Sequence, residues 1–183
     1  MLEDSEKYIH APELYIREEF ITNSDSLFEF LKREVLWDTR MKARKTASFG
    51  VSYDYSGITY PYAEMLPEFK PILEKICNLL HFYPNNCLLN YYLDGNSTMG
   101  FHSDSSENLL DGTGVAILSL GSERSITYRS QLDKKVNFFY ILKKGMLLYM
   151  STQIQKDWVH AIPKQINAGE RISLTFRAIS KSG

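Results

Sequence analysis

Several features of common protein classes are missing from this 183-residue sequence. No apolar run reaches the roughly 18–20 residues of a transmembrane helix, so we expect no membrane span. The first seven residues lack the basic-then-apolar order of a secretory signal peptide. Only two cysteines are present, Cys77 and Cys87, in apolar surroundings and without C-x-x-C spacing. We therefore expect buried thiols and a cytoplasmic location, or a nuclear one if the source is eukaryotic.

A strong charge of one sign is also missing, since the formal net charge is −1. The field of the whole chain therefore gives no long-range attraction to a polyanionic partner. Residues 32–45 are a local exception, with six basic and two acidic residues. A solvated charged face and a phosphate-contacting patch are equally good interpretations of that run.

Internal repeats, low-complexity stretches and Gly/Ser linkers are absent too, which predicts one domain over residues 1–183. Within residues 1–85, apolar spacing predicts two helices. One begins at a capping box, Ser26-Leu-Phe-Glu29, and continues to about Leu36. The other begins after Leu66, with Pro67 in its first turn. Residues 46–62, between the helices, are rich in Tyr, Ser and Gly and predict short strands and turns.

From residue 86 onward the pattern changes to short β runs divided by turn residues such as Asp94-Gly95 and Gly145. Many short strands at this spacing are typical of a sandwich or jelly-roll barrel. We therefore predict a mainly β, α+β fold with N-terminal helices over 1–85 and a jelly-roll core over 86–179. The candidate strands are residues 87–93, 115–120, 125–129, 138–142, 146–150 and 172–178.

What the sequence does contain is a set of polar residues suited to a metal. His102 and Asp104 are two positions apart, so in one short strand both side chains leave the same face. His160 follows on a separate predicted strand. Two histidines and one carboxylate form the facial triad of non-haem Fe(II) oxygenases, which leaves coordination positions open. H-x-D alone is a weak motif. Because a later histidine and two downstream arginines accompany it here, we interpret these residues together as a candidate catalytic site.

Arg171 and Arg177 have an even separation and share a face if residues 171–177 are one strand. Inward-facing arginines are costly unless they pair with anions. A dicarboxylate ligand can pair with them, because guanidinium binds carboxylate bidentately. Asn90 and Tyr92, again two apart, can add hydrogen bonds to that ligand. The alternative is an edge strand that carries two solvated charges.

Taken in order, these motifs resemble the AlkB family of Fe(II)/2-oxoglutarate-dependent dioxygenases, in its nucleic-acid N-demethylase branch. The similarity spans about residues 37–179, and the combination of motifs is highly specific. The matching segments are Lys45-Thr-Ala-Ser-Phe-Gly50, Tyr53-Asp-Tyr-Ser-Gly57, Leu88-Leu-Asn-Tyr-Tyr-Leu-Asp-Gly95, Met99-Gly-Phe-His-Ser-Asp104, Leu118-Ser-Leu-Gly121, Gly145-Met-Leu-Leu-Tyr-Met150, Trp158-Val-His-Ala-Ile-Pro163 and Arg171-Ile-Ser-Leu-Thr-Phe-Arg177.

The resemblance implies a double-stranded β-helix that binds Fe(II) and uses 2-oxoglutarate and dioxygen. Oxidative decarboxylation would give succinate and carbon dioxide, and hydroxylation of an N-methyl carbon would lead to release of formaldehyde. The residues that the resemblance assigns are His102, Asp104 and His160 as catalytic metal ligands, and Asn90, Tyr92, Arg171, Thr175 and Arg177 as 2-oxoglutarate contacts.

The resemblance also implies a nucleotide-recognition lid formed by the N-terminal helices and residues 44–57. In it, Tyr53 or Tyr55 would stack on a flipped base, and Arg44 would contact the flanking phosphates. The bland alternative is that both tyrosines are ordinary core or surface β residues.

Three departures from the family pattern concern the substrate. Relatives often carry an acidic residue just after the metal Asp, but Ser105 stands here, so either Glu107 meets a cationic base or the site is less suited to charged lesions. Ser173 replaces the usual Asn of the closing motif. Residues 36–41 give no clear counterpart of the hairpin that DNA-repair relatives insert into a duplex.

We therefore expect a monomeric oxidative demethylase of N-alkylated bases in single-stranded DNA or RNA. A hydroxylase of a protein or small molecule with the same cofactors is one alternative. The near-neutral net charge favours this alternative mildly, whereas the local basic patch at residues 32–45 and the match at residues 53–57 oppose it. A catalytically idle nucleic-acid-binding module is the other alternative, which the complete set of iron and 2-oxoglutarate residues opposes.

Overall fold

The computed structural model of the chain describes residues 9–180, and it consists mainly of antiparallel strands. The first seven residues, whose composition predicts no signal peptide, lie outside the described residues. The strands are β1 (Tyr15–Arg17), β2 (Lys45–Gly50), β3 (Tyr53–Tyr55), β4 (Ile58–Tyr60), β5 (Asn86–Tyr92), β6 (Met99–His102), β7 (Val115–Gly121), β8 (Arg124–Ser130), β9 (Asn137–Leu142), β10 (Leu147–Met150), β11 (Trp158–Ile162) and β12 (Arg171–Arg177). The helices are α1 (Ser24–Glu34), α2 (Lys70–Leu80) and α3 (Thr152–Asp157).

Two sheets and one hairpin account for these strands. The larger sheet has the order β1-β10-β7-β12-β5-β2, the smaller one β6-β11-β8-β9, and β3 pairs with β4. Strand β12 therefore lies in the interior of the larger sheet, between β7 and β5. The alternative of an edge strand with two solvated arginines is wrong, since Arg171 and Arg177 are each only 1% exposed.

The larger sheet is covered on both faces, which explains why β5, β7 and β12 contain near-continuous apolar runs. Alternate residues of β7 show the division. Ala116, Leu118 and Leu120 pack in the cluster that includes α1 and α2, whereas Val115 and Ile117 pack in the cluster shared with the smaller sheet. The site residues described below project from the strands that surround this second cluster.

The two N-terminal helices form where their apolar spacing predicts, but α1 begins differently. It starts at Ser24, two residues before the predicted capping box, with Asn23 as its N-cap. The Ser26 hydroxyl lies inside the first turn and donates to the Asn23 carbonyl at 3.0 Å, so it does not cap the helix. The capping-box prediction is therefore wrong. The second helix is confirmed, since a short 3-10 turn at Pro67–Phe69 leads into α2.

The predicted jelly-roll strands are confirmed to within one or two residues, and two further elements, β1 and α3, come from stretches without a clear pattern. The predicted division into an N-terminal part (1–85) and a core (86–179) stays a prediction. Strands β1 and β2 precede residue 85 but belong to the larger sheet. Cys87 is buried in β5 and Cys77 is half-buried in α2, both as free thiols. Among the described residues, no helix combines the length and hydropathy needed to cross a membrane.

Candidate metal and co-substrate site

Three predicted ligands meet between the two sheets. His102 ends β6 and His160 lies in β11, where the two are direct cross-strand partners with ring centroids 4.4 Å apart. Their Nε2 atoms lie 4.0 Å and 3.5 Å from the Oδ1 and Oδ2 atoms of Asp104. All three ligand atoms lie within 4.8 Å of one another, a spacing that suits one ion. The expectation that one strand carries both early ligands is wrong, because β6 ends before Asp104.

Two of these groups have the protonation state that a metal requires. Burial, which the neighbouring carboxylate only partly offsets, lowers the pKa of His160 to about 4, so its imidazole is neutral at pH 7. Burial acts to raise the pKa of Asp104, but the Arg177 guanidinium and the two imidazoles outweigh it and the pKa lies below its usual value. A neutral imidazole and an ionised carboxylate are ready to bind a cation without losing a proton.

The two imidazoles are oriented unequally. His102 Nδ1 lies 2.9 Å from the Gly100 carbonyl, which fixes the hydrogen on Nδ1 and leaves Nε2 free as a ligand atom. His160 Nδ1 is buried and has no hydrogen-bond partner among residues 9–180. The Tyr128 hydroxyl, on the cross-strand neighbour of His160, is also buried and unpartnered.

The Asp104 side chain is held from two sides. Arg177 Nη2 donates to Oδ1 at 2.8 Å. Gln155, a buried residue of α3, accepts from the Asp104 backbone N–H at 2.8 Å, and its Nε2 lies 3.4 Å from Oδ2. The predicted co-substrate contact of Arg177 stays a prediction, since this guanidinium already pairs with the metal carboxylate. Nothing in the sequence pattern around Gln155 indicated its role, because α3 was not foreseen.

Every residue predicted for the metal or for 2-oxoglutarate lines one cavity, here called the inner cavity. Its remaining wall is mainly apolar and includes Ile117, Ile126 and Leu142. The predicted residues that line it are Asn90, Tyr92, His102, Asp104, His160, Arg171, Thr175 and Arg177. Their individual roles stay predictions, but the topology brings all eight together.

Arg171 is the clearest candidate anion site in this cavity. Its guanidinium is buried 5.1 Å from the Tyr92 ring centroid, and its Nη2 donates to Ser119 Oγ at 2.9 Å. Its Nε and Nη1 have no hydrogen-bond partner in the described part of the chain. Burial lowers its pKa from the usual value. A buried cation with two unused donors fits a carboxylate, so the residues present fit 2-oxoglutarate. Ser119 lies in a matching motif but was not predicted.

A second cavity, here called the outer cavity, adjoins the metal ligands. It is lined by residues 53–56 and 99–105 together with Arg44, and it shares Tyr55, Met99, His102 and Asp104 with the inner cavity. The Tyr53 and Tyr55 rings are near-parallel, with centroids 6.4 Å apart. The Tyr53 ring also covers the Arg177 guanidinium at 4.8 Å. Both tyrosines therefore face the site, although the lid itself stays a prediction.

Arg44, the predicted phosphate contact, lines the outer cavity and is held by protein groups. It is 9% exposed and donates to Asn90 Oδ1 at 2.7 Å, to the Thr98 carbonyl at 3.1 Å and to the Tyr55 hydroxyl. These bonds tie Tyr55 to the co-substrate wall and use three of the five guanidinium N–H donors. Arg44 therefore links the walls of the two cavities, and its contact with a phosphate stays a prediction.

The other basic residues of the 32–45 run are paired only in part. Lys45 lies 5.7 Å from the Tyr91 ring centroid. The ion pairs of the run are Lys32–Glu170, Arg33–Glu34 and Arg40–Asp38. Two of these acidic partners belong to the run itself, so the run keeps a net positive charge, and both a solvated charged face and a phosphate-contacting patch remain open interpretations.

Glu107 is not brought to the site. It is exposed in the turn after the triad and lines neither the inner nor the outer cavity. Moving the Glu107 carboxylate from water into the site would be costly, because among the described residues no cation of the site pairs with it. The prediction that it meets a charged base is therefore not supported by its position.

Comparison with known proteins shows which family has this kind of site. A family model described as the 2OG-Fe(II) oxygenase superfamily matches residues 22–177. The chain belongs to this superfamily. Fe(II), 2-oxoglutarate and dioxygen, the predicted cofactor and co-substrates, are thereby confirmed at the level of the family.

Relatives narrow the assignment to the AlkB family. The alpha-ketoglutarate-dependent dioxygenase alkB homolog 3 of Bos taurus is 32% identical over 183 residues, covering 87% of this chain and 63% of the relative. The DNA oxidative demethylase ALKBH2 of Homo sapiens is 28% identical, covering 85% of this chain and 69% of the relative. Uncharacterized protein R406 of Acanthamoeba polyphaga mimivirus is 30% identical, covering 80% and 72%. The predicted family is confirmed, while the chain spans less than two thirds of the bovine relative.

The fold has a solved counterpart. The structure of OsALKBH1 superposes with a TM-score of 0.68 at 17% identity, covering 93% of this AlkB-family chain and 100% of that one. At this identity the likeness concerns the fold alone, and it confirms the predicted jelly-roll core.

Proposed function

We propose that this AlkB-family protein is an Fe(II)/2-oxoglutarate-dependent oxidative demethylase of N-alkylated bases in DNA or RNA. The main support for this proposal is the arrangement of the site. The triad of His102, Asp104 and His160 lies between Arg171, which is buried and has unused donors, and a cavity walled by two tyrosines. The names of the relatives, which include a DNA oxidative demethylase, support the same reaction class.

The residues divide the chemistry between the two cavities. Fe(II) and 2-oxoglutarate, when bound, supply dioxygen activation and the electrons that the reaction consumes. Arg171 and Ser119 would hold the distal carboxylate, and the apolar wall of the inner cavity would exclude water. Tyr53 or Tyr55 would stack on the flipped base. The proposed products are succinate, carbon dioxide, formaldehyde and the demethylated base.

Single-stranded nucleic acid is the partner we propose, bound by a monomer in the cytoplasm or, in a eukaryote, the nucleus. Support for a single strand comes from the outer cavity, which offers aromatic faces more than free cations.

The test is coupled turnover with methylated single-stranded oligonucleotides. Succinate and formaldehyde should form in equal amounts, and mass spectrometry should detect loss of one methylene mass from the oligonucleotide. Succinate formation with no change in any oligonucleotide would point to a protein or small-molecule substrate instead. Oligonucleotide binding without succinate, in iron-loaded protein, would point to an idle binding module.

A further inference from the structure

We propose that Gln155 is a positioning residue that fixes the Asp104 carboxylate in the metal site. This inference rests on the proposed function, because it takes the triad to be a metal site. It concerns a residue that touches neither the ion nor the substrate and acts only through Asp104.

Asp104 needs such support because of its place in the fold. β6 ends at His102, so Asp104 lies in a loop without ladder hydrogen bonds. His160, in contrast, is paired on both sides, with His102 and with Tyr128. A ligand on an unsupported loop would lose conformational freedom whenever an ion bound, which lowers affinity.

The Gln155 carboxamide supplies that support with both of its ends. Its Oε1 accepts from the Asp104 backbone N–H at 2.8 Å, which fixes the loop. Its Nε2 lies 3.4 Å from Oδ2, the oxygen that faces His160, which fixes the rotation of the carboxylate. Only an amide offers an acceptor and a donor from one side chain in this arrangement, and Gln155 is 4% exposed.

Gln155 is itself held in place. The Ser151 hydroxyl caps α3 by accepting from the Ile154 N–H at 3.4 Å. Gln131 Nε2 donates to the Lys156 carbonyl at 2.9 Å, which ties α3 to the segment after β8. Gln155 Nε2 also lies 3.6 Å from Met150 Sδ. Supporting contacts of this kind orient ligands and tune metal affinity.

Arg177 and Gln155 therefore act on different oxygens and in different ways. Arg177 pairs with Oδ1 and lowers the pKa of Asp104, so it secures the charge of the ligand. Gln155 is neutral and bonds the backbone as well, so it secures the position. Replacing Gln155 should leave the carboxylate ionised but less well placed.

The experiment is a Mn(II) titration of metal-free protein, followed by electron paramagnetic resonance without 2-oxoglutarate. Gln155→Met keeps the size of the side chain and removes both hydrogen bonds. We expect Mn(II) affinity to fall about 10- to 100-fold, with the melting temperature of the metal-free protein within a few degrees of wild type. Gln153→Met is the matched control, since Gln153 is an exposed residue of the same helix that contacts Asp157. It should bind Mn(II) as wild type does.

The outcomes are separable. A wild type that binds no Mn(II) would remove the metal site and with it the proposed function. A wild type that binds, with Gln155→Met within twofold of it, would overturn the positioning role, as would equal losses in both glutamine variants. If Gln155→Met does not fold, Gln155→Asn decides: it keeps an amide but is one methylene shorter, so weakened Mn(II) binding supports the proposal and unchanged binding overturns it.

Discussion

The inner and outer cavities share Tyr55, Met99, His102 and Asp104 but differ in the rest of their walls. The inner cavity is walled on one side by β5, β7 and β12, long interior strands that are buried almost throughout, and on the other by strands of the smaller sheet. The outer cavity is walled by the three-residue strand β3 and by β6 with its following loop, whose side chains are half-buried or exposed. The first wall is therefore deeply buried, and the second is open to solvent.

Charge separates the two cavities as well. Arg171 keeps unused donors toward the inner cavity, whereas the Arg44 guanidinium at the outer cavity is engaged by Asn90, Thr98 and Tyr55. The inner cavity therefore suits an anion, and the outer one suits an aromatic face. Changes at residues that line only the inner cavity should act on metal and co-substrate, and changes at residues that line only the outer cavity should act on the substrate.

The largest effect is expected from Asp104→Asn. The change removes the ligand anion and leaves the buried Arg177 without its charge partner. We expect no measurable turnover and no Mn(II) binding in the range where wild type saturates. His160→Ala should behave in the same way. If either variant kept wild-type turnover and metal affinity, the triad assignment would be wrong.

Arg171→Lys should come next, because an ammonium cannot reproduce the bidentate fork. Losing a buried charge pairing costs about 2–5 kcal/mol, or about 30-fold or more in the KM for 2-oxoglutarate. Mn(II) affinity should stay near wild type, which distinguishes this residue from the triad. Arg33→Lys, at an exposed surface pair, is the control. Unchanged 2-oxoglutarate dependence in Arg171→Ala would show that another residue holds the distal carboxylate.

Burial of the inner site also predicts a pH dependence of stability. The pKa of His160 falls from 6.5 to about 4 on folding, so between these values the unfolded state binds a proton and the folded state does not. The unfolding free energy of metal-free protein should therefore rise by about 3 kcal/mol from pH 4 to pH 6.5. Urea titrations across this range measure it. His160→Gln should remove most of the slope, and a slope that survived would assign it to other groups.

The same contrast between the walls explains which residues the sequence could predict. Arg171, Thr175, Asn90 and Tyr92 lie on long strands, where two-residue periodicity fixes the face and the motifs give the order. The surroundings of Arg44 and Glu107 could not be predicted in this way, because Arg44 is held by partners distant in sequence and Glu107 lies in an exposed turn.

The supporting residues were harder still to foresee. Gln155 and Ser119 were missed, since a single polar residue in an apolar or unpatterned stretch carries no signal of the side chain that it will contact. Such contacts are set by the packing of distant elements, here α3 against the loop after β6 and β7 against β12. The metal ligands could be predicted from local sequence patterns, whereas the residues that hold those ligands in place depend on which distant elements the fold packs together.

The smallest expected effect lies at the outer wall. Tyr55→Ala removes an aromatic face, and base stacking on such a face is worth about 1–3 kcal/mol. The kcat/KM for methylated oligonucleotide should fall about 5- to 150-fold, while Mn(II) affinity stays near wild type. Tyr55→Phe is the matched control, because it keeps the ring and loses the hydroxyl with its bonds to Arg44 and Met99. If Tyr55→Phe were as impaired as Tyr55→Ala, the hydroxyl and its link to Arg44 would matter more than the ring. If both variants processed their oligonucleotide normally, the outer cavity would not be the base-binding surface, and a protein or small-molecule substrate would become the better proposal.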